Sequence, residues 1–155
     1  MKNLVCFFLI ILPFLSIARA ENKTQTLDFD LDALRWQKRV LLLFGPSKSE
    51  ASLLTQKQDL ASRFQEVVDR DIITLEILEN GESRAGDRVL SKNAVESIRR
   101  RLGVRSGAFQ LILIGKDGAV KLRSDKPVAA QDIFKIIDSM PMRRQEMEGE
   151  RKPSS

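Results

Sequence analysis

The side chains that perform most enzyme chemistry are nearly absent from this chain. Its single cysteine is Cys6, and it contains no histidine and no tyrosine. Cys6 lies within residues 1–20, which are typical of a secretory signal: Lys2 supplies a charged start, an apolar run follows, and Ala18-Arg19-Ala20 forms a small-residue cleavage site. Cleavage after Ala20 would remove the thiol, so we expect neither disulfide exchange nor a thiolate nucleophile in an exported product.

Ser47, Lys48 and Ser49 are candidates for a nucleophile and a base that lie close in sequence. A serine hydroxyl is not ionised near neutral pH and attacks only beside a general base, a role that Lys48 would have to fill. The simpler interpretation is that Ser47 or Ser49 caps the helix that follows. An enzyme of unrecognised type using these three residues is therefore kept as an alternative hypothesis.

Metal and cofactor sites are not predicted. Asp28, Asp30 and Asp32 alternate along the chain, but they lack the downstream glycine and glutamate of a calcium-binding loop. The glycines at 81 and 86 do not form a phosphate-binding pattern. We therefore predict no catalytic residue, no metal site and no cofactor.

A group of cations late in the chain is the remaining candidate site. It consists of Lys116, Lys121, Arg123, Lys126, Arg143 and Arg144. In a hairpin followed by a helix these could converge at one end of a sheet and bind a carboxylate, a phosphate or a sulfated polymer. Lys121 and Arg123 would point to the same side of a strand. The net charge of +5 is mild and the opposite charges are interspersed, so we do not predict nucleic-acid binding.

The elements that position these residues alternate between strands and helices. Continuous apolar runs predict buried strands over residues 40–44, 72–78 and 109–114, and the tight turn Lys116-Asp117-Gly118 leads to an edge strand over 120–122. Apolar faces predict helices over residues 53–68, 91–102 and 127–140. The order β-α-β-α-β-β-α predicts an α/β fold of thioredoxin-like type, with a mixed central sheet and helices on both faces.

The predicted boundaries divide the chain into four segments. They are a signal peptide at residues 1–20, a polar leader at 21–26, a single thioredoxin-like domain at 27–142, and a polar, mobile tail at 143–155. Leu27, Phe29 and Leu31 alternate with aspartates as in a strand, and Trp36 is predicted to anchor the core. The apolar run of the signal is shorter than the roughly 20 residues of a spanning helix, so we expect no stable membrane insertion after cleavage. Retention of the signal as an anchor is left open.

Three segments resemble a known family. They are residues 39–46 (RVLLLFGP), 115–124 (GKDGAVKLRS) and 137–147 (IDSMPMRRQEM). They are similar to the DUDES-type domain, a domain of unknown function (family 4174) found in small exported bacterial proteins and, repeated, in animal matrix proteins with sushi or coiled-coil regions. The resemblance covers about residues 29–147. It implies a thioredoxin-like or peroxiredoxin-like fold that generally lacks catalytic cysteines, with animal members linked to adhesion and matrix association, and it carries over no catalytic residue.

The function expected from these observations is binding rather than catalysis. We expect an exported, periplasmic or secreted, non-redox module that binds an envelope or extracellular protein, or an anionic polymer, through the cationic end of its sheet. A purely structural role in the envelope is a further alternative. The identity of the partner, the oligomeric state and the host organism are left open.

Overall fold

The computed structural model describes residues 26–151, in which helices cover both faces of one six-stranded sheet. In chain order the elements are β1 (Arg39–Ser47), α1 (Ala51–Ser62), α2 (Phe64–Asp69), β2 (Ile72–Asn80), β3 (Arg84–Ala85), β4 (Arg88–Val89), α3 (Lys92–Leu102), β5 (Gln110–Ile114), β6 (Val120–Ser124), α4 (Ala130–Asp138) and α5 (Pro141–Arg151). A short 3-10 turn, Asp32–Leu34, precedes β1. The predicted signal peptide, including Cys6, and nearly all of the leader lie outside the described residues.

The sheet has the order β4-β3-β2-β1-β5-β6, with β1 near its centre. Strand β1 pairs in parallel with β2 and antiparallel with β5, and β6 returns antiparallel at the edge. The predicted mixed sheet with helices on both faces is therefore confirmed. No helix among residues 26–151 is long and apolar enough to cross a membrane.

Successive residues of β1 contribute to two separate cores. Leu41 and Leu43 pack with α1 and α4 on one face, whereas Leu42 and Phe44 pack with α3 on the other. All four side chains are fully buried. Because helices cover both faces, the middle of the strand has no solvent side, and its run Val40–Phe44 is apolar at every position.

The segment before β1 differs from the prediction. Leu27 forms an isolated bridge with Leu90 rather than part of a strand. Trp36 is 64% exposed and does not anchor the core, whereas Leu31 is buried there. The reason is a contact with a distant part of the chain: Trp36 adopts φ 66°, and its N–H donates to the carbonyl of Lys116 at 2.6 Å, so the chain turns before the indole reaches the core.

The helix predicted over residues 53–68 is divided into α1 and α2. Arg63, at φ −123°, separates them. Leu54, Phe64 and Val68, which the sequence pattern placed on one apolar face, are exposed. The helix α3 begins and ends as predicted: Ser91 accepts from the N–H of Ala94, and Gly103 terminates the helix at φ 62°.

The segment predicted as a mobile tail from residue 143 forms most of α5. Arg143 is 4% exposed, so the chain still packs against the domain beyond the predicted boundary at 142. The polar composition of residues 143–155 predicted a mobile tail, but α5 is held largely by ion pairs, which do not need a broad apolar face.

Candidate functional site

The N-terminus of α1, where thioredoxin-like folds hold a reactive thiol, is occupied by a carboxylate of this chain. Glu50 accepts from the backbone N–H of Ser52 at 3.0 Å and of Leu53 at 2.6 Å. The capping residue is therefore Glu50, and the prediction that Ser47 or Ser49 caps this helix is wrong. Because helix N–H groups are the donors that stabilise an anion at this position, Glu50 fills the site with its own negative charge.

The neighbouring hydroxyl groups are not arranged as a nucleophile and a base. The hydroxyls of Ser47 and Ser49 lie 3.1 Å apart and bond to each other. Lys48 is exposed, and within the described part of the chain no hydrogen bond joins its ammonium group to either serine. The serine–lysine hypothesis has no geometric support here, since a general base must reach the proton that it removes.

The aspartates near residue 30 make separate contacts. Asp28 is bonded to Ser91, Asp30 accepts from the backbone of Asp32, and Asp32 pairs with Arg101. Among residues 26–151 no cluster of three or more carboxylate, histidine or cysteine side chains could hold a metal ion.

The opposite end of the sheet, where β1 begins and β5 ends, contains a buried charge network. Lys116, 9% exposed, donates to Asp71 at 2.9 Å and to Glu146 at 2.8 Å. Arg39, 1% exposed, donates to Glu146 at 3.2 Å and to the carbonyl of Arg70 at 2.8 Å. These four side chains, Arg39, Asp71, Lys116 and Glu146, are called the Glu146 network below.

The pKa values in the Glu146 network favour the charged forms. The hydrogen bond from Lys38, with a second from Lys116, outweighs burial and lowers the pKa of Asp71 to about 2. Burial opposes ionisation of Glu146, but hydrogen bonds from Lys116 and Arg39 outweigh it and lower its pKa. Burial likewise opposes the charge of Lys116, and the bonds to Glu146 and Asp71 more than compensate and raise its pKa. Asp71, Glu146 and Lys116 are therefore charged at neutral pH.

A second set of ion pairs attaches α5 to the same end of the sheet. Arg143 donates to the carboxylate of Asp69 at 2.5 Å and to its carbonyl at 3.0 Å, and it lies 3.6 Å from Asp138. Arg70 also pairs with Asp138, at 2.7 Å. Lys116 and Arg143, both predicted to bind an external anion, are thus buried against carboxylates of the protein itself.

The structure separates the six predicted cations. Lys116, Lys121, Arg143 and Arg144 lie at the end where α5 docks, whereas Arg123 and Lys126 follow β6 toward the other end. Arg144 and Lys126 are exposed.

Lys121 and Arg123 do not share a side of β6, so that prediction is wrong. A bulge opposite Leu113 and Ile114 leaves Lys121 as the extra residue between Val120 and Leu122. Arg123 donates to the carbonyl of Leu102 at the end of α3, while Lys121 pairs with Asp117 at 2.6 Å and lies beside Met140 and Pro141. The extra residue of a bulge is left unpaired and disrupts the regular ladder, so the alternation of sides is not kept through it.

A groove of about 230 Å³ lies beside the Glu146 network. Its apolar wall consists of Trp36, Met140, Pro141 and Met142, and its charged lining consists of Arg39, Lys116, Asp117 and Lys121. We call it the Trp36 groove. A larger cleft, of about 480 Å³, lies between the loop after β2 and the start of α3. The Trp36 groove is the candidate site because it combines an exposed tryptophan with the cations that face it.

Residues 30–146 match the family described as Domain of unknown function (DUF4174). The chain belongs to this family. Two curated relatives that it matches are animal proteins and the chain spans less than a quarter of the length of each, so the expectation of a small exported bacterial member stays a prediction. Coiled-coil domain-containing protein 80 of Danio rerio is 30% identical over 145 residues, which are 83% of this chain and 17% of that protein. Sushi repeat-containing protein SRPX2 of Xenopus laevis is 30% identical over 114 residues, which are 70% of this chain and 24% of that protein.

Solved structures similar to this DUF4174 domain establish its fold. Plasmodium yoelii thioredoxin peroxidase I superposes with a TM-score of 0.55 and 17% identity, over 80% of this chain and 83% of that one. Plasmodium vivax 2-Cys peroxiredoxin superposes with a TM-score of 0.55 and 16% identity, over 76% and 84% of the two chains. The predicted thioredoxin-like, peroxiredoxin-like fold is confirmed.

The segments that carry the family resemblance build the Glu146 network in this DUF4174 domain. Arg39 lies in the first segment, Lys116 in the second, and Glu146 in the third. In the turn after β5, Asp117 accepts from the N–H of Ala119, and Gly118 adopts φ 80°, a conformation that costs glycine little. The sequence analysis missed Arg39, Asp71 and Glu146. One signal was available, because an arginine at the start of a strand buried on both faces requires a counter-charge.

Proposed function

We propose that this DUF4174 domain is an exported, non-redox thioredoxin-like module that binds a protein or an anionic polymer outside the cytoplasm. The observation that carries the proposal is the carboxylate of Glu50 on the N-terminus of α1. It fills the position where a thioredoxin-like enzyme stabilises its thiolate, and the sequence provides no cysteine there. The N–H groups at the N-terminus of α1 are therefore already bonded to Glu50, and we look for the binding surface elsewhere in the domain.

The end of the sheet at which α5 docks supports that function. Ion pairs fix α5 to the start of β1, to the turn after β5 and to the end of α2, and fixed side chains lose little conformational entropy when a partner binds. Lys121 and Arg144 are exposed at this end and supply positive charge to the surface. Only part of the predicted cationic surface is kept in the proposal, since Lys116 and Arg143 are buried in pairs.

Binding through this end is tested by retention of the purified protein on heparin and on peptidoglycan. The variant Lys121→Gln with Arg144→Gln removes two charges from the proposed surface. The matched control, Lys126→Gln with Arg105→Gln, removes two exposed charges toward the other end of the sheet. We expect the first variant to elute at lower salt than the wild type, and the control to elute like the wild type. Equal elution of all three proteins would reject this surface, and absence of retention would favour the purely structural role.

Export is tested separately. Residues 1–20 support the proposal by their charged start, apolar run and cleavage pattern. We expect fractionated cells that express the full sequence to contain the protein outside the cytoplasm, with Glu21 as its first residue. Cytoplasmic protein that retains Met1 or Lys2 at its N-terminus would contradict the proposal.

A further inference from the structure

Trp36 combines exposure with an unfavourable backbone conformation. Its side chain is 64% exposed, so it contributes little to the core. Its φ of 66° lies in the left-handed region, which a bulky residue rarely adopts. The conformation is held by the hydrogen bond from its N–H to the carbonyl of Lys116 at 2.6 Å. A residue that is both exposed and strained is explained by binding better than by folding.

The side chains facing Trp36 form an adaptable apolar wall. Met140 and Met142 flank Pro141 at the start of α5, and all three line the Trp36 groove. Methionine side chains adjust their shape to a ligand and make favourable contacts with aromatic rings. Tryptophan is among the residues that contribute most to binding energy at protein interfaces. A groove of about 230 Å³ has room for one large side chain rather than a whole folded element.

The charged lining of the groove is mostly positive. Arg39, Lys116 and Lys121 line it, and the only carboxylate among its lining residues is Asp117. The carboxylate of Glu146 neutralises Arg39 from outside the lining, and the Nε of Arg39 has no hydrogen-bond acceptor within the described part of the chain. Arg39 and Lys116 line the groove without their carboxylate partners, whereas Lys121 is paired there with Asp117. The lining therefore carries more positive than negative charge, which favours carboxylates beside the apolar side chain of an incoming segment.

We propose that the Trp36 groove binds an acidic segment of a partner protein, with one aromatic or aliphatic side chain seated between Trp36 and Met140–Met142 and flanking carboxylates facing Lys121. This inference rests on the proposed binding function and names the class of partner. A sulfated polysaccharide is the less favoured ligand of the groove. A sugar ring needs several polar partners around it, whereas the wall opposite Trp36 is methionine and proline.

The groove can be tested directly because Trp36 is the only tryptophan and the chain has no tyrosine. The probes are the peptide acetyl-Ser-Glu-Leu-Phe-Glu-Ser-amide, the same peptide with glutamine in place of glutamate, and a heparin tetrasaccharide. Binding is followed by the emission of Trp36 and by the ¹³C methyl resonances of Met140 and Met142. Met147, which does not line the groove, serves as an internal reference.

We expect the acidic peptide to shift the emission of Trp36 and the methyl resonances of Met140 and Met142 in a saturable way. The glutamine peptide is expected to bind about threefold more weakly, because two exposed charge contacts are lost. Trp36→Gly is expected to weaken binding by about tenfold or more, followed by the methionine resonances. Glycine accepts φ 66° without strain, so this variant keeps the fold, which circular dichroism verifies. Phe64→Ala removes another exposed aromatic side chain, outside the groove, and is expected to bind like the wild type.

Three results would overturn the inference. They are the absence of shifts at Met140 and Met142 with the acidic peptide, equal shifts in Trp36→Gly, and shifts produced by the tetrasaccharide but not by the peptide. Failure of the groove is distinguishable from failure of the proposed function. If the peptide leaves the groove unchanged while Lys121→Gln with Arg144→Gln still reduces retention on heparin, only the groove is wrong. If that variant elutes like the wild type, the proposed cationic surface is wrong whatever the peptide does.

Discussion

Replacing Glu146 by glutamine should strongly destabilise this domain, although the position lies near the end of the described chain. The carboxylate accepts from Arg39 at 3.2 Å and from Lys116 at 2.8 Å, and these two cations are 1% and 9% exposed. Glutamine keeps the size of the side chain but removes its charge, so two buried cations lose a shared counter-ion. Lys116 would keep the carboxylate of Asp71, whereas Arg39 would keep only neutral acceptors, namely the carbonyl of Arg70 and the amide oxygen of the new side chain.

The magnitude follows from the burial of the three groups. Removing one member of a buried ion pair costs about 3–5 kcal/mol. Glu146 is itself 24% exposed, so solvent screens part of the interaction, and Asp71 still compensates Lys116. We therefore expect Glu146→Gln to lower the free energy of unfolding by about 2–3 kcal/mol, a large fraction of the roughly 5–15 kcal/mol of a typical domain.

The assay is urea denaturation followed by far-ultraviolet circular dichroism. The matched control is Glu148→Gln, an exposed position on the same helix, which should change stability by less than about 0.5 kcal/mol. Adding Lys116→Gln to each background gives a double-mutant cycle, and we expect a coupling of about 1 kcal/mol or more between residues 116 and 146. Equal midpoints for the two glutamine variants, or additive effects of residues 116 and 146, would refute the structural role assigned to the network.

Three further predictions concern the helix cap, the pH dependence and the turn. Glu50→Ala should lower stability by about 1 kcal/mol in urea denaturation while Ser49→Ala has little effect, because Glu50 makes the capping bonds; the reverse order would contradict this. The pKa of Asp71 is lowered from 3.8 to about 2, which corresponds to about 2.5 kcal/mol of folding stability, and solvent screening of this 40% exposed side chain reduces that to about 1 kcal/mol. Because the folded-state pKa is the lower one, this stability is present above pH 4 and is lost as the pH falls toward 2. Asp71→Asn should abolish that part of the acid dependence, measured by urea denaturation at a series of pH values. Gly118→Ala should lower the melting temperature, since φ 80° costs alanine about 1 kcal/mol. Gly149→Ala should raise it, because this glycine lies inside α5 and an added methyl group meets open space. Shifts of the same sign would contradict the assignment of these effects to backbone conformation.

Sequence patterns that span only a few residues predicted most of the strands, helix ends and turns of the fold. The run Val40–Phe44 is apolar at every position because both faces of β1 are covered, and this alone predicts a central strand. Gly103 and the Asp117-Gly118 turn were predictable because their backbone angles favour particular residue types. In each case the physical cause acts within a few residues of the chain.

The errors arose where the cause lies far away in sequence. Trp36 is drawn out of the core by a hydrogen bond to the carbonyl of Lys116, a contact that no local pattern encodes. Arg39 and Glu146 meet although 107 residues separate them, and the polar composition after residue 142 therefore indicated a tail rather than a docked helix. The bulge in β6 leaves Lys121 as an unpaired extra residue, so the alternation on which the prediction relied does not hold between Lys121 and Arg123.

Together these contacts support the proposal that this thioredoxin-like domain binds a partner at the end of the sheet where α5 docks. At the N-terminus of α1, the N–H groups that would stabilise a thiolate are bonded instead to the carboxylate of Glu50. The buried charges lie instead at the other end of β1, where Arg39 and Lys116 hold the start of α5 through Glu146. A buried ion pair is a weak source of stability compared with an apolar core, but it fixes the orientation of the elements that it joins. At this end of the sheet the elements so oriented carry Trp36 and Met140, and for that reason we propose a binding surface there rather than at the N-terminus of α1.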